Sequence, residues 1–179
     1  AVPFRAALAT GRALALDDVA LGPDDLAFLQ YTGGTTGVAK GAMLSHGNMV
    51  ANVLQVAAWI GRDMKDGAET LVIPLPLYHV FALTGALSFF SRGTHTVLVA
   101  NPRDLPAFIK TLKASPPSAL IGVNTLYRAL LDATGFGEVD FSRLKLAVAG
   151  GMATPVAWIT STGPLARCTA GRRSRCHAS

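Results

Sequence analysis

Thr70-Leu71-Val72-Ile73-Pro74-Leu75-Pro76-Leu77-Tyr78-His79-Val80-Phe81-Ala82-Leu83-Thr84-Gly85-Ala86-Leu87-Ser88-Phe89-Phe90-Ser91 runs for 22 residues without a charge. As one helix it would be long enough to cross a bilayer. Pro74 and Pro76 exclude that reading, because each removes a backbone donor and breaks a helix near its start. Tyr78, His79, Thr84 and Ser88 add polar groups along the rest. The run divides instead into a buried strand, a turn and a buried helix over 80–90. Downstream the alternation recurs as strand-like 94–99, helix-like 105–113, strand-like 119–122, helix-like 125–133 and strand-like 144–149. Upstream, Asp24 to Tyr31 is an apolar run after an acidic turn and reads as a strand entering a loop. Ser45 then caps a helix on which Met49, Val50, Val53, Leu54, Val56, Ala57 and Ile60 recur until Gly61 stops it. Apolar runs too continuous to alternate, separated by helices, predict an α/β fold with a mostly parallel sheet covered on both faces.

Composition agrees. Hydrophobic residues make up 50% and charged residues 15% of the 179, too apolar for a disordered chain. The net charge of +5 suggests a nucleic-acid partner until it is located. Four of the 16 Lys and Arg lie between Thr154 and Ser179, where there is no acid, leaving 12 basic against 11 acidic residues before them. The basic excess belongs to the tail, and no nucleic-acid partner is expected. Both cysteines, Cys168 and Cys176, also lie there, so the body has no disulfide framework and a reduced, cytoplasmic setting is expected. The chain opens Ala1-Val2-Pro3 with no compact apolar run before a cleavage site, and reads as entered midway. The expected divisions are an irregular lead-in over 1–23, a body over 24–153, and an atypical basic tail over 154–179. The tail reads as either disordered or out of frame, because a helix is due after Gly150 and no apolar periodicity follows.

The segment richest in chemistry is Tyr31-Thr32-Gly33-Gly34-Thr35-Thr36-Gly37-Val38-Ala39-Lys40-Gly41. Gly33, Gly34 and Gly37 let backbone N–H groups converge on an anion, Thr32, Thr35 and Thr36 add hydroxyl donors, and Lys40 adds a mobile positive charge. This is a phosphate cradle. It is not a Walker A loop, since two residues separate Gly37 from Lys40 and no Ser or Thr follows the lysine. Nor is it the dinucleotide fingerprint, because Gly33 and Gly34 are adjacent. Ser45-His46 lacks the first glycine of an esterase elbow, and Ser45 is better explained as a cap. His46, His79, His95 and His177 form no metal set at a recognised spacing, so no protein metal ligand is assigned.

At these residues the sequence resembles the adenylate-forming (AMP-dependent synthetase/ligase) superfamily, and within it bacterial long-chain fatty-acid-CoA ligases, of which it would be a central fragment. The resemblance extends to Pro74-Leu75-Pro76-Leu77-Tyr78-His79-Val80-Phe81, to Gly122-Val123-Asn124-Thr125-Leu126, and to Leu146 through Met152. It makes 24–153 a partial AMP-binding domain. It implies that Tyr31, Thr32 and Lys40 belong to the catalytic loop, and that Thr35, Thr36 and Lys40 hold the β- and γ-phosphates with Gly33, Gly34 and Gly37. Gly150, Gly151 and Met152 would approach the adenine, and His79, Phe81 and Asn124 the acyl group. Packing remains the rival role for His79, as does helix capping for Asn124; Tyr78 and Phe81 are expected in the core, Phe81 with a secondary claim on the pocket wall.

The implied substrates are a fatty acid, ATP and coenzyme A, with Mg²⁺ neutralising the phosphates. Oligomeric state is left open, as is peripheral contact with the inner face of a membrane. The family's Mg²⁺-binding glutamate, ribose-binding aspartate and mobile carboxy-terminal domain have no counterpart after Met152. The chain as given is therefore expected to be truncated and inactive. The competing reading is a nucleotide- or acyl-binding module without turnover.

Overall fold

The computed structural model describes residues 2–32, 40–60 and 64–150. Its centre is a four-stranded parallel sheet of β3 (Thr70–Ile73), β4 (His95–Leu98), β5 (Ala119–Val123) and β6 (Leu146–Gly150), in the order β4-β3-β5-β6. Helices α3 (Val80–Phe90), α4 (Leu105–Ala114) and α5 (Asn124–Leu131) connect or follow these strands. Side chains alternate across the sheet, and both faces are covered. Leu71, Ile73, Ala119 and Ile121 cluster with Ile60, Ala82 and Phe89. Val72 and Leu120 cluster with Phe108, Leu112, Tyr127 and Leu130. This is why the strands read as unbroken apolar runs: neither face is wet. The Tyr127 hydroxyl lies 3.0 Å from the Leu120 carbonyl and 2.9 Å from that of Val148, sharing its one proton between β5 and β6. Burial holds that phenol protonated far above its ordinary range.

The first strand departs from expectation. β1 (Leu26–Thr32) does not join the parallel sheet; it pairs antiparallel with β2 (Lys40–Ser45) as a separate two-stranded hairpin. The strand over 40–45 was not anticipated, because Lys40-Gly41-Ala42-Met43-Leu44 is short and reads as loop beside the glycine cluster. Its partner is what makes it a strand: Thr32 pairs with Lys40 and Tyr31 with Gly41. The lead-in also differs. It contains a short helix, α1 (Phe4–Gly11), with no buried residue, so no tertiary contact announces it in the sequence. Among the described residues no helix is long and apolar enough to cross a membrane.

Helix α2 (His46–Ile60) starts at the expected cap. Asn48 N–H donates to Ser45 Oγ at 3.2 Å, and Ser45 N–H donates back to Asn48 Oδ1 at 3.0 Å, a reciprocal capping arrangement. The helix start is docked on the turn before β1, where His46 N–H donates to Asp25 O at 2.9 Å and Gly47 N–H to Pro23 O at 2.7 Å. A Cβ on Gly47 would stand 2.9 Å from that same carbonyl oxygen. Backbone cannot turn aside as a side chain can, so Gly47→Ala should lower stability by about 1 to 3 kcal/mol. Gly137→Ala, where a Cβ would meet nothing within 4 Å, should stay within about 0.5 kcal/mol. Parallel urea melts of the two variants check this.

The amino ends of the strands are tied by a buried polar cluster. Glu69 is 3% exposed, and its carboxylate accepts from Lys145 Nζ and, at 2.7 Å, from Lys65 N–H. Ser118 Oγ accepts from Thr70 N–H at 2.8 Å. Burial alone would raise the Glu69 pKa, but hydrogen bonds from Lys145, Lys65 N–H and Ser118 and the Lys145 charge outweigh it and bring the pKa to about 2. Since the folded pKa lies below the ordinary 4.5, the stabilisation is complete above pH 4.5 and lost as pH falls from there towards 2. Its size is about 3 kcal/mol. Denaturant melts should show stability falling through this window, and Glu69→Gln should remove that part of the slope.

Candidate functional site

Parallel strands deliver their carboxyl ends to one edge of the sheet. From β3 the chain passes to β4 on one side, and from β4 it crosses back over β3 to β5 on the other. By the general rule for open α/β sheets, ligands are bound in the crevice outside the strand ends at such a reversal, which here falls between β3 and β5. Three of the segments singled out in the sequence emerge there: Pro74 to His79 after β3, Asn124 after β5, and Gly150 at the end of β6.

The turn after β3 is rigid. Pro74 is fully buried, and His79 N–H donates to Pro76 O at 3.0 Å. His79 is the N-cap of α3, its Nδ1 accepting from Phe81 N–H at 3.3 Å and its backbone carbonyl receiving Leu83 N–H at 3.0 Å. One ring nitrogen is thus engaged with the helix start, while the imidazole remains exposed at the crevice edge. Tyr78 corrects its expectation: it is 79% exposed and not in the core. Its carbonyl faces inward and its ring outward, as a turn residue between a buried proline and a helix cap can do.

That carbonyl joins the two halves of the site. Gln30 Nε2, from β1, donates to Tyr78 O at 2.7 Å across 48 residues of sequence. The bond holds the hairpin bearing the glycine-rich segment against the turn after β3. Gln30 was missed in the sequence. Its only signal there is a lone amide between Leu29 and Tyr31, at the end of an otherwise apolar run. Tyr31 lies flat over Gly41, where a Cβ would stand 3.4 Å from the ring, an aromatic side chain covering a cross-strand glycine. Lys40, expected to add a mobile charge to the glycine-rich cradle, is the first residue of β2 and exposed.

At the far end of the crevice Phe81 reaches β6. Its ring would stand 3.0 Å from a Cβ on Gly150, so the glycine brings this aromatic and the strand end into direct contact. Phe81 is half-buried against the α2–α3 side of the core. Asn124 is buried at the first turn of α5, but the cap position belongs to Val123, which makes no side-chain capping bond. Gly33, Gly34, Thr35, Thr36 and Gly37 lie outside the described residues, in the connection between the paired ends Thr32 and Lys40, and Gly151, Met152 and the tail over 154–179 also lie outside them. Among the described residues no three His, Cys, Asp or Glu side chains converge as an ion-binding group.

Comparison with known proteins bears on the family and the fold. The sequence profile described as AMP-binding enzyme matches residues 4–169, reaching beyond 24–153 at both ends. The chain is 49% identical over 168 residues to a long-chain-fatty-acid–CoA ligase of Escherichia coli O6:H1, covering 91% of this chain and 30% of that protein. A ligase of the same description from Haemophilus influenzae is 49% identical over 172 residues, covering 94% of this chain and 30% of its own length. The chain thus spans about 30% of the length of these curated relatives. Among solved structures, the inhibitor-bound N-terminal domain of FACL13 from Mycobacterium tuberculosis superposes with a TM-score of 0.75 at 26% identity, over 87% of this chain and 39% of that one. Another crystal form of the same domain, at 23% identity and a TM-score of 0.76, supports the fold alone.

Proposed function

The chain belongs to the AMP-binding enzyme family, and from that premise we propose that it carries part of the adenylation site of an ATP-dependent fatty-acid-CoA ligase acting on long-chain acids. The observation that carries the proposal is the Gln30–Tyr78 bond. It brings the hairpin of the glycine- and threonine-rich segment to the crevice that His79, Phe81, Asn124 and Gly150 border.

In this reading a fatty-acid carboxylate oxygen attacks the α-phosphorus of ATP and pyrophosphate leaves with the electron pair of the broken P–O bond. Coenzyme A thiolate then attacks the acyl carbonyl and AMP departs. Negative charge builds on phosphate oxygens in the first step, where N–H groups of Gly33, Gly34 and Gly37, hydroxyls of Thr32, Thr35 and Thr36, and the Lys40 ammonium stabilise it. Tyr31 orients the loop from β1. Gly150, Gly151 and Met152 form the adenine side, and His79, Phe81 and Asn124 the acyl side. Mg²⁺, when bound, screens the polyphosphate through water and phosphate oxygens. The adenylation domain is read over 24–153, and the reaction is placed in the cytoplasm with any membrane contact peripheral.

The relatives are more than three times as long as this chain, so turnover is assigned to a full-length protein and not to these 179 residues. The test supplies ATP, Mg²⁺, palmitate and coenzyme A to both forms and follows AMP and acyl-CoA. The full-length protein encoded by the gene should release both, and the 179-residue chain neither. Acyl-CoA from the short chain overturns the truncation. Saturable ATP binding by the full-length protein with no acyl-adenylate would favour the alternative, a binding module without turnover.

A further inference from the structure

Among the described residues the β1–β2 hairpin forms no backbone ladder with the four-stranded sheet. A lone two-stranded hairpin is marginal in water, so its direction depends on what holds its two ends. The base is held by α2. His46 N–H and Gly47 N–H, at the start of that helix, donate to Asp25 O and Pro23 O just ahead of β1, and Ser45, the last residue of β2, exchanges bonds with Asn48. The other end carries Thr32 and Lys40, and beside it stands Gln30, half-buried. The Gln30 amide nitrogen lies 2.7 Å from Tyr78 O and 3.5 Å from Tyr31 O. Its own oxygen could not take that place, because it would face two acceptors.

We propose that Gln30 is a positioning residue for the adenylation step, holding Lys40 in one frame with the Tyr78–His79 turn. Gln30 stands opposite Ala42, and Lys40, two residues from Ala42 on β2, falls on the same face of the hairpin. The face that meets the turn after β3 is thus the face that carries the ammonium. The Tyr78 carbonyl cannot follow a displaced hairpin, because it sits between Pro76, whose oxygen accepts from His79 N–H, and His79, whose side chain caps α3. A hydrogen bond fixes a distance and a direction, which apolar contact between the same elements would not. Losing it frees the Lys40 end of the hairpin to lift while the base stays on α2. The distance from Lys40 to a phosphate held at the crevice would then vary, where adenylation needs it constant. This role rests on the function proposed above.

The test uses the full-length protein and measures the two half-reactions separately. Gln30→Met keeps the length of the side chain and removes the donor, and should slow acyl-adenylate formation by roughly 3- to 10-fold, the range of one ordinary hydrogen bond. Thioester formation from preformed acyl-AMP should stay within about twofold, because no departing phosphate is left for Lys40 to meet. A role confined to folding would lower both half-reactions together, and that result overturns the proposal. The decisive comparison is with Lys40→Ala. If Gln30 acts through Lys40, adding Gln30→Met to that variant should slow adenylation by less than about twofold, whereas independent residues would multiply their losses. Multiplied losses overturn the positioning role. Should Gln30→Met not fold, Gln30→Asn decides by the same comparison, since its amide is one methylene short of Tyr78 O. An active native protein with an unimpaired Gln30→Met variant overturns this inference alone. No acyl-adenylate from the native protein overturns the proposed function, and the positioning role with it.

Discussion

Lys40→Ala, introduced into the full-length protein, should slow formation of the acyl-adenylate by roughly 10- to 150-fold. The figure follows from losing one charge-assisted hydrogen bond to a departing phosphate, about 1.5 to 3 kcal/mol. The structure makes the substitution easy to interpret. Lys40 begins β2, is exposed, and pairs through its backbone with Thr32, so alanine leaves the hairpin ladder intact. Thioester formation from preformed acyl-AMP should be nearly unchanged, because pyrophosphate has then left. Lys40→Arg should rescue only in part, since a broad guanidinium fits a glycine-lined cradle less well than a compact ammonium. Measuring the two half-reactions separately checks all three statements. Equal losses in both would assign Lys40 to the fold and withdraw its role at the phosphates.

Phe108→Ala should lower stability by about 3 to 5 kcal/mol. Phe108 is fully buried on α4 and packs in the cluster that includes Val72, Leu120 and Leu130. Its helix is held at the start by Asp104, whose Oδ1 accepts from Ala107 N–H at 3.1 Å, and it cannot collapse into the cavity without releasing that cap. The melting temperature should fall by about 6 to 20 °C. Phe90→Ala makes the matched control: the same chemistry on α3, but 76% exposed. It should change stability by no more than about 0.5 kcal/mol. Calorimetry on the two variants compares a filled core site with an open one.

Much of the local structure was readable in the chain. Helix α3 occupies the residues expected for it, because prolines end the preceding strand and an uncharged stretch of eleven residues follows. Ser45 caps α2 as expected, since a hydroxyl just ahead of a periodic apolar run has one economical use. The rest was hidden for identifiable reasons. The strand over Lys40–Ser45 is defined by its partner, and its exposure leaves no apolar alternation to read. Helix α1 buries nothing. His79 carries the same letters whether it faces a substrate or caps a helix; only the 3.3 Å bond from Phe81 N–H shows that one ring nitrogen is occupied.

The sequence by itself determined the α/β class, the succession of strands and helices after residue 70, and the kinship carried by the glycine- and threonine-rich segment. Those properties depend on periodicity, caps and turns, whose range is a few residues. The tertiary structure alone decided the order β4-β3-β5-β6, and with it which ends border the crevice. It also decided that Gln30 meets Tyr78 and that Glu69 meets Lys145, across 48 and 76 residues. β3, β5 and β6 are each short apolar runs that would pair acceptably in several orders. What selects one order is the packing of α2 and α3 against one face and α4 and α5 against the other, together with the polar groups that find partners only in that arrangement.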